Sequence, residues 1–116
     1  IIHLMAYYEH TQITKQDVSK DKIDSAINKY SDIINDNNGK IVKIEKWGVL
    51  NFSKKIRSYN KGQYIHFKFE GDKETIGELN KKIIIDQTIL RHLTVKYKSL
   101  DLETEYFKGD KSEKEE

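Results

Sequence analysis

The chain has 116 residues, no cysteine and no proline, and a formal net charge of +2. That length suits one domain with a single core. The missing cysteines exclude disulfides, thiolate metal sites and cysteine nucleophiles, and no apolar run approaches the roughly 20 residues that span a bilayer. The charge is unevenly spread: residues 101–116 hold seven acids against three lysines, whereas residues 40–68 hold eight Lys/Arg and only Glu45 as an acid.

Residues 1–6 read as an N-terminal extension, with Ile1-Ile2-His3-Leu4 ahead of Met5. Nothing in them has the form of a secretory leader. Tyr7 to Ile13 is a short strand, made unusually polar by His10, Thr11 and Gln12. Asp17 to Asn37 is the clearest helix, because Ile23, Ala26, Ile27, Tyr30, Ile33 and Ile34 form one apolar stripe. Ser19 suits its N-cap, with Val18 and Ile23 as a hydrophobic staple. Asn37-Asn38-Gly39 ends it, with Gly39 expected in the left-handed C′ conformation.

Lys40 to Ile56 alternates as a strand, with Val42 and Ile44 on one face. Gly48 inside it signals a bulge, after which Leu50 and Phe52 read as inward residues. Arg57 to Gly62 is the connecting loop. Gln63 to Glu70 alternates again, with Ile65, Phe67 and Phe69 against Tyr64, His66 and Lys68. Asp72 caps a second helix, whose buried stripe is Ile76, Leu79 and Ile83. Asp86 to Thr88 breaks the chain. Leu90 to Tyr97 is the last strand, with Leu93, Val95 and Tyr97 opposite His92, Thr94 and Lys96. Beyond it the apolar pattern fades, so residues 99–116 read as a charged, mostly disordered tail.

The order β-α-β-β-α-β predicts an α+β, ferredoxin-like domain over residues 7–98, with both helices on one face of a four-stranded antiparallel sheet. Its open face is expected to carry Tyr64, His66, Lys68, His92, Thr94 and Lys96, a surface suited to RNA or a protein partner. Tyr64 and His66 are the candidate partner contacts there.

Enzyme chemistry finds little support. The four histidines His3, His10, His66 and His92 have no helical ligand spacing, and ordinary surface roles are the better account of them. No phosphate-binding glycine loop or nucleophile motif occurs. Neither a cofactor nor a metal is expected, and no membrane partner. Lys54, Lys55 and Arg57 form a basic group with no acid near, the footprint of phosphate neutralisation. Charge alone is equally well explained by a solvated lysine-rich face. For Tyr8 and Tyr64 taken singly, packing at a sheet edge is the better account than base stacking.

Four stretches in order add a more specific reading: Tyr8-Glu9 with Gln16-Asp17-Val18-Ser19; Asn37-Asn38-Gly39 before Trp47-Gly48; Ile56, Lys61-Gly62 and Tyr64; and Ile89-Leu90-Arg91-His92-Leu93-Thr94-Val95-Lys96. Together they resemble the bacterial-type small-subunit ribosomal protein six family, over nearly all of the folded part. The resemblance implies a ferredoxin-like fold and a structural role in the small ribosomal subunit, without catalysis or cofactor. It implies binding to the central domain of small-subunit rRNA beside small-subunit ribosomal protein eighteen and other small-subunit proteins. By position it implies RNA contact at Tyr8, Arg91, His92 and Lys96, whereas Lys54, Lys55 and Arg57 rest on charge.

The chain departs from the family at Leu50, where an arginine is usual, and at Lys54-Lys55, where a Tyr-Pro pair is usual. The leading residues and the Ile-, Lys- and Asn-rich composition fit an organellar (mitochondrial) ribosome and a reduced-genome bacterium alike. Two alternatives remain open. One is an RNA-recognition-motif domain, to whose third-strand signature Lys61-Gly62, Tyr64, Ile65, Phe67 and Phe69 are similar but one residue out of step. The other is a ferredoxin-like regulatory module that binds no RNA.

Overall fold

The computed structural model describes residues 5–97. Most of the expected extension and the expected charged tail lie outside them. The elements are β1 (Ala6–Lys15), α1 (Lys20–Asp36), β2 (Lys40–Ile56), β3 (Tyr59–Gly71), α2 (Lys73–Ile84) and β4 (Ile89–Tyr97). The strands form one antiparallel sheet in the order β2-β3-β1-β4. This is the expected ferredoxin-like βαββαβ arrangement. Among the described residues, no helix is long and apolar enough to cross a membrane.

The core lies between the helices and one face of the sheet. Ile23, Ile27, Tyr30 and Ile34 of α1 and Leu79 and Ile83 of α2 pack with Ile65, Phe67 and Phe69 of β3. The helix ends follow their sequence signals. Ser19 Oγ accepts from Lys22 N. Asp72 accepts from Thr75 N while Thr75 Oγ1 accepts from Asp72 N, a reciprocal capping box.

Several local expectations are corrected. Asn38, not Gly39, takes the left-handed backbone after α1, with φ 68°. Gly39 is needed for close approach instead: a Cβ there would lie 2.6 Å from Ile34 O and 2.7 Å from Thr75 Cγ2. Val42 has no partner on β3. A bulge between Ile41 and Lys43 puts Ile41 opposite Phe69 and Ile44 opposite Phe67, so these two face the core. The Gly48 bulge is present, with φ 83° and the register shift between Lys46 and Gly48. It sends Leu50 and Phe52 to the face away from the helices, since Leu50 pairs with Gly62 and Gly48 with Tyr64. The connection after β2 is only Arg57-Ser58, because Tyr59 to Gly62 already belongs to β3.

The largest correction concerns β4. His10 pairs with both Phe67 and Thr94, and Tyr8 with both Phe69 and Lys96. Directly paired residues share a face, so His92, Thr94 and Lys96 lie on the helix side, apart from His66. The open face carries Arg91, Leu93, Val95 and Tyr97 instead. β4 is an edge strand, and its apolar alternation predicts Leu93, Val95 and Tyr97 on the core side. Its register on β1 turns that side outward, leaving Leu93 64% exposed.

Candidate nucleic-acid interface

β2 and β3 continue past the end of β1, whose last pair with β3 is Lys15–Gly62. Their tip is a short two-stranded ribbon. From Lys46 to Phe69 the sequence contains no acid. Between the Asn51–Lys61 and Ile56–Tyr59 pairs the register shifts, so residues 52–55 of β2 stand opposite Asn60 alone. Lys54 and Lys55 fall in this expanded segment and are exposed, as is Arg57 in the turn. Lys61 is half-buried. At its base the ribbon is braced by rings: Phe52 lies 6.3 Å from Tyr64, and Trp47 stacks 6.2 Å from Tyr64.

The open face next to this base is a buried polar network. Trp47 stacks on His66 at 4.7 Å and donates from Nε1 to Glu45 Oε1 at 2.8 Å. Glu45 Oε2 lies 3.3 Å from Lys68 Nζ and 3.7 Å from Lys43 Nζ. His66 Nε2 lies 3.0 Å from Glu9 Oε1, and Nδ1 lies 2.7 Å from Thr11 Oγ1. Burial pushes the His66 pKa down, against the raising influence of Glu9. A carboxylate only accepts, so neutral His66 donates from Nε2 to Glu9 and accepts the Thr11 hydroxyl proton at Nδ1.

A second polar group sits on the helix side between β1 and β4. His10 and Gln12 are both 0% exposed. His10 Nδ1 lies 2.7 Å from Thr94 Oγ1 and Nε2 lies 3.2 Å from Gln12 Oε1. Burial lowers the His10 pKa to about 4, with lesser contributions from nearby His92 and His66. Gln12 Nε2 and Thr14 Oγ1 have no hydrogen-bond partner among the described residues.

The candidate residues do not converge on one spot. Tyr8 is half-buried on the helix side and stacks on Phe69 at 5.6 Å, so its ring is engaged in packing. Arg91, His92 and Lys96 are all exposed along edge strand β4, Arg91 on the open face and the other two on the helix side. Arg91 shares a row with Ile13 and Tyr64. The tip cations stand about 30 Å from the row of Lys96, at the usual rise of a strand. Tyr64 is half-buried on the open face, and His66 is 4% exposed. Three features escaped the sequence reading: the Glu9–His66–Thr11 link, Trp47 as the cover of His66, and the exposed Leu93 and Tyr97. The first two need the register across three strands, while the third had a signal in the alternation of β4. Among the described residues no group of three or more acids and histidines is gathered for a metal.

Comparison with known proteins agrees with this architecture. The family model described as "Ribosomal protein S6" matches residues 7–96. Small ribosomal subunit protein bS6 of Pelagibacter ubique is 44% identical over 113 residues, covering 97% of this chain and 93% of that protein. Its counterpart in Rickettsia bellii (strain RML369-C) is 38% identical over 99 residues, covering 85% and 82%. The crystal structure of 30S ribosomal protein S6 from Thermotoga maritima superposes with a TM-score of 0.77 at 25% identity, over 81% of this chain and 89% of that one. The chain belongs to the ribosomal protein S6 family, the structural, non-enzymatic proteins of the bacterial-type small ribosomal subunit.

Proposed function

We propose that this protein binds the central domain of small-subunit rRNA, beside small-subunit ribosomal protein eighteen and other small-subunit proteins. The observation that carries the RNA reading is the hairpin tip, with Lys54, Lys55 and Arg57 exposed and no acid from Lys46 to Phe69. Phosphate neutralisation by such cations supplies much of nucleic-acid affinity. Arg91 on the open face and Lys96 on the helix side give further cations along β4, with His92 between them, and Tyr8 is the strand-pair partner of Lys96. The protein partner docks on the open face. Tyr64 is accessible there in the row of Arg91, Leu93 and Tyr97 are exposed farther along the same face, and His66 acts from beneath Trp47 by holding the surface in place.

The burial of Trp47 (7% exposed) and His66 argues against an RNA-recognition-motif mode, which requires rings free on the open face to stack on bases. The bacterial relatives favour the cytoplasmic ribosome of a bacterium over a mitochondrial one. Purification through a tag on this protein, followed by crosslink mapping, tests the reading. The expected result is small-subunit particles with crosslinks to the rRNA central domain and to protein eighteen. Recovery of the tagged protein away from small subunits overturns it.

A further inference from the structure

The turn joining β2 and β3 is built from residues that such a turn disfavours. Arg57 has φ 48° and Ser58 has φ 71°. Two successive left-handed residues define a type I′ hairpin turn, for which Asn-Gly is the preferred pair. Side chains other than Asn, Asp and Gly occupy this backbone region at an energetic cost, which persists where function requires it. Elsewhere among the described residues, the chain meets the same demand with an amide or a glycine, at Asn38 and Gly48. Among the described residues only the hairpin tip keeps unsuited side chains, and one of them is an arginine.

The neighbouring irregularity points the same way. The expanded segment of residues 52–55 opposite Asn60 carries Lys54 and Lys55 out of regular pairing, immediately before the turn. Three exposed cations are thus gathered at one end of the molecule by two departures from an ideal hairpin. The base is stiffened by Trp47, Tyr64 and Phe52.

We propose that Arg57 is a phosphate-contacting residue whose left-handed backbone is retained against hairpin stability, making the tip a preformed grip for RNA backbone. This rests on the rRNA-binding reading above. Guanidinium forms paired hydrogen bonds to phosphate oxygens, which suits it to this role better than any residue that would relax the turn. Ser58 has no part in the contact and serves only to close the turn.

The test is reconstitution of small-subunit particles from rRNA, the other small-subunit proteins and the full-length chain, titrated at rising salt. Thermal unfolding of each free variant accompanies it. Arg57→Asn relaxes the turn and removes the charge. It is expected to raise the melting temperature by a few degrees, to weaken incorporation, and to make the slope of log affinity against log salt shallower by about one. Ser58→Gly is expected to raise the melting temperature and leave incorporation unchanged. Arg57→Lys is expected to keep the salt slope while weakening incorporation.

An unchanged salt slope in Arg57→Asn overturns the proposal, as does a fall in its melting temperature, which would make Arg57 structural. A loss confined to capture of another small-subunit protein, with the salt slope kept, also overturns it and assigns the tip to an acidic protein surface. Failure of the unaltered chain to enter the particle would instead strike at the rRNA-binding reading itself.

Discussion

Single residues decide where polarity is buried in this protein. His10 and Gln12 make β1 look like an exposed strand in sequence, yet both point to the helix side and are 0% exposed. His10 is satisfied there as a neutral ring between Thr94 and Gln12. This has a pH consequence. The folded state takes up the His10 proton only near pH 4, whereas the unfolded chain takes it up near 6.5. Between those values the unfolded state binds more protons, so stability is full above pH 6.5 and is lost as pH falls toward 4. The shift corresponds to about 3 kcal/mol. His66, also lowered by burial, adds in the same direction. Urea unfolding at pH 7 and pH 4.5 checks this: His10→Asn is expected to be less stable at pH 7 but to lose less on acidification than the parent. An equal loss in both would exclude His10 as a source.

At the level of elements, the helices are the most legible parts. The stripe in α1 and the caps at Ser19 and Asp72 are local signals, and each is realised where it was read. The second cap supports more than its own helix. Thr75, which completes the capping box, is 0% exposed and donates from Oγ1 to Asn37 O at 2.6 Å, joining the start of α2 to the end of α1. Asp72→Ala is therefore expected to destabilise the domain by about 1–2 kcal/mol, toward the upper end of the usual range for a lost N-cap. A denaturant midpoint unchanged from the parent would show the cap to be dispensable.

The strands were legible in position and less so in facing. Alternation located β2 and β3 well, but the bulges at Val42 and Gly48 and the expanded segment before Arg57 each change which side chains face the core. Only Gly48 carries a local mark of its bulge. Val42 has none, because the insertion is fixed by pairing with β3. The short turn was missed because Arg57-Ser58 lacks the Asn-Gly signature of its type.

For the molecule as a whole, the core among the described residues is drawn from α1, α2, β3 and Ile89, with Tyr8, Ile41 and Ile44 packed against it. The acidic C-terminal stretch, residues 101–116, lacks an apolar stripe in its sequence. Removal of residues 101–116 is accordingly expected to leave the melting temperature unchanged and the cooperative transition intact. A large fall on scanning calorimetry would contradict this. The candidate interface is spread out on the same scale. The tip cations and Lys96 occupy opposite ends of the sheet, with Arg91 and His92 in rows between them, so the whole domain is the frame that sets their separation.

The sequence by itself determined the element order, the apolar stripes, the caps, the acid-free basic stretch and the family resemblance. All of these follow from local spacing and residue type. Tertiary structure alone decided the facing of β4, the burial of His10, His66 and Lys68, and the geometry of the tip. The physical reason is register: a strand exposes one set of side chains or the other according to a one-residue choice of pairing, and that choice is made by its neighbours across the sheet.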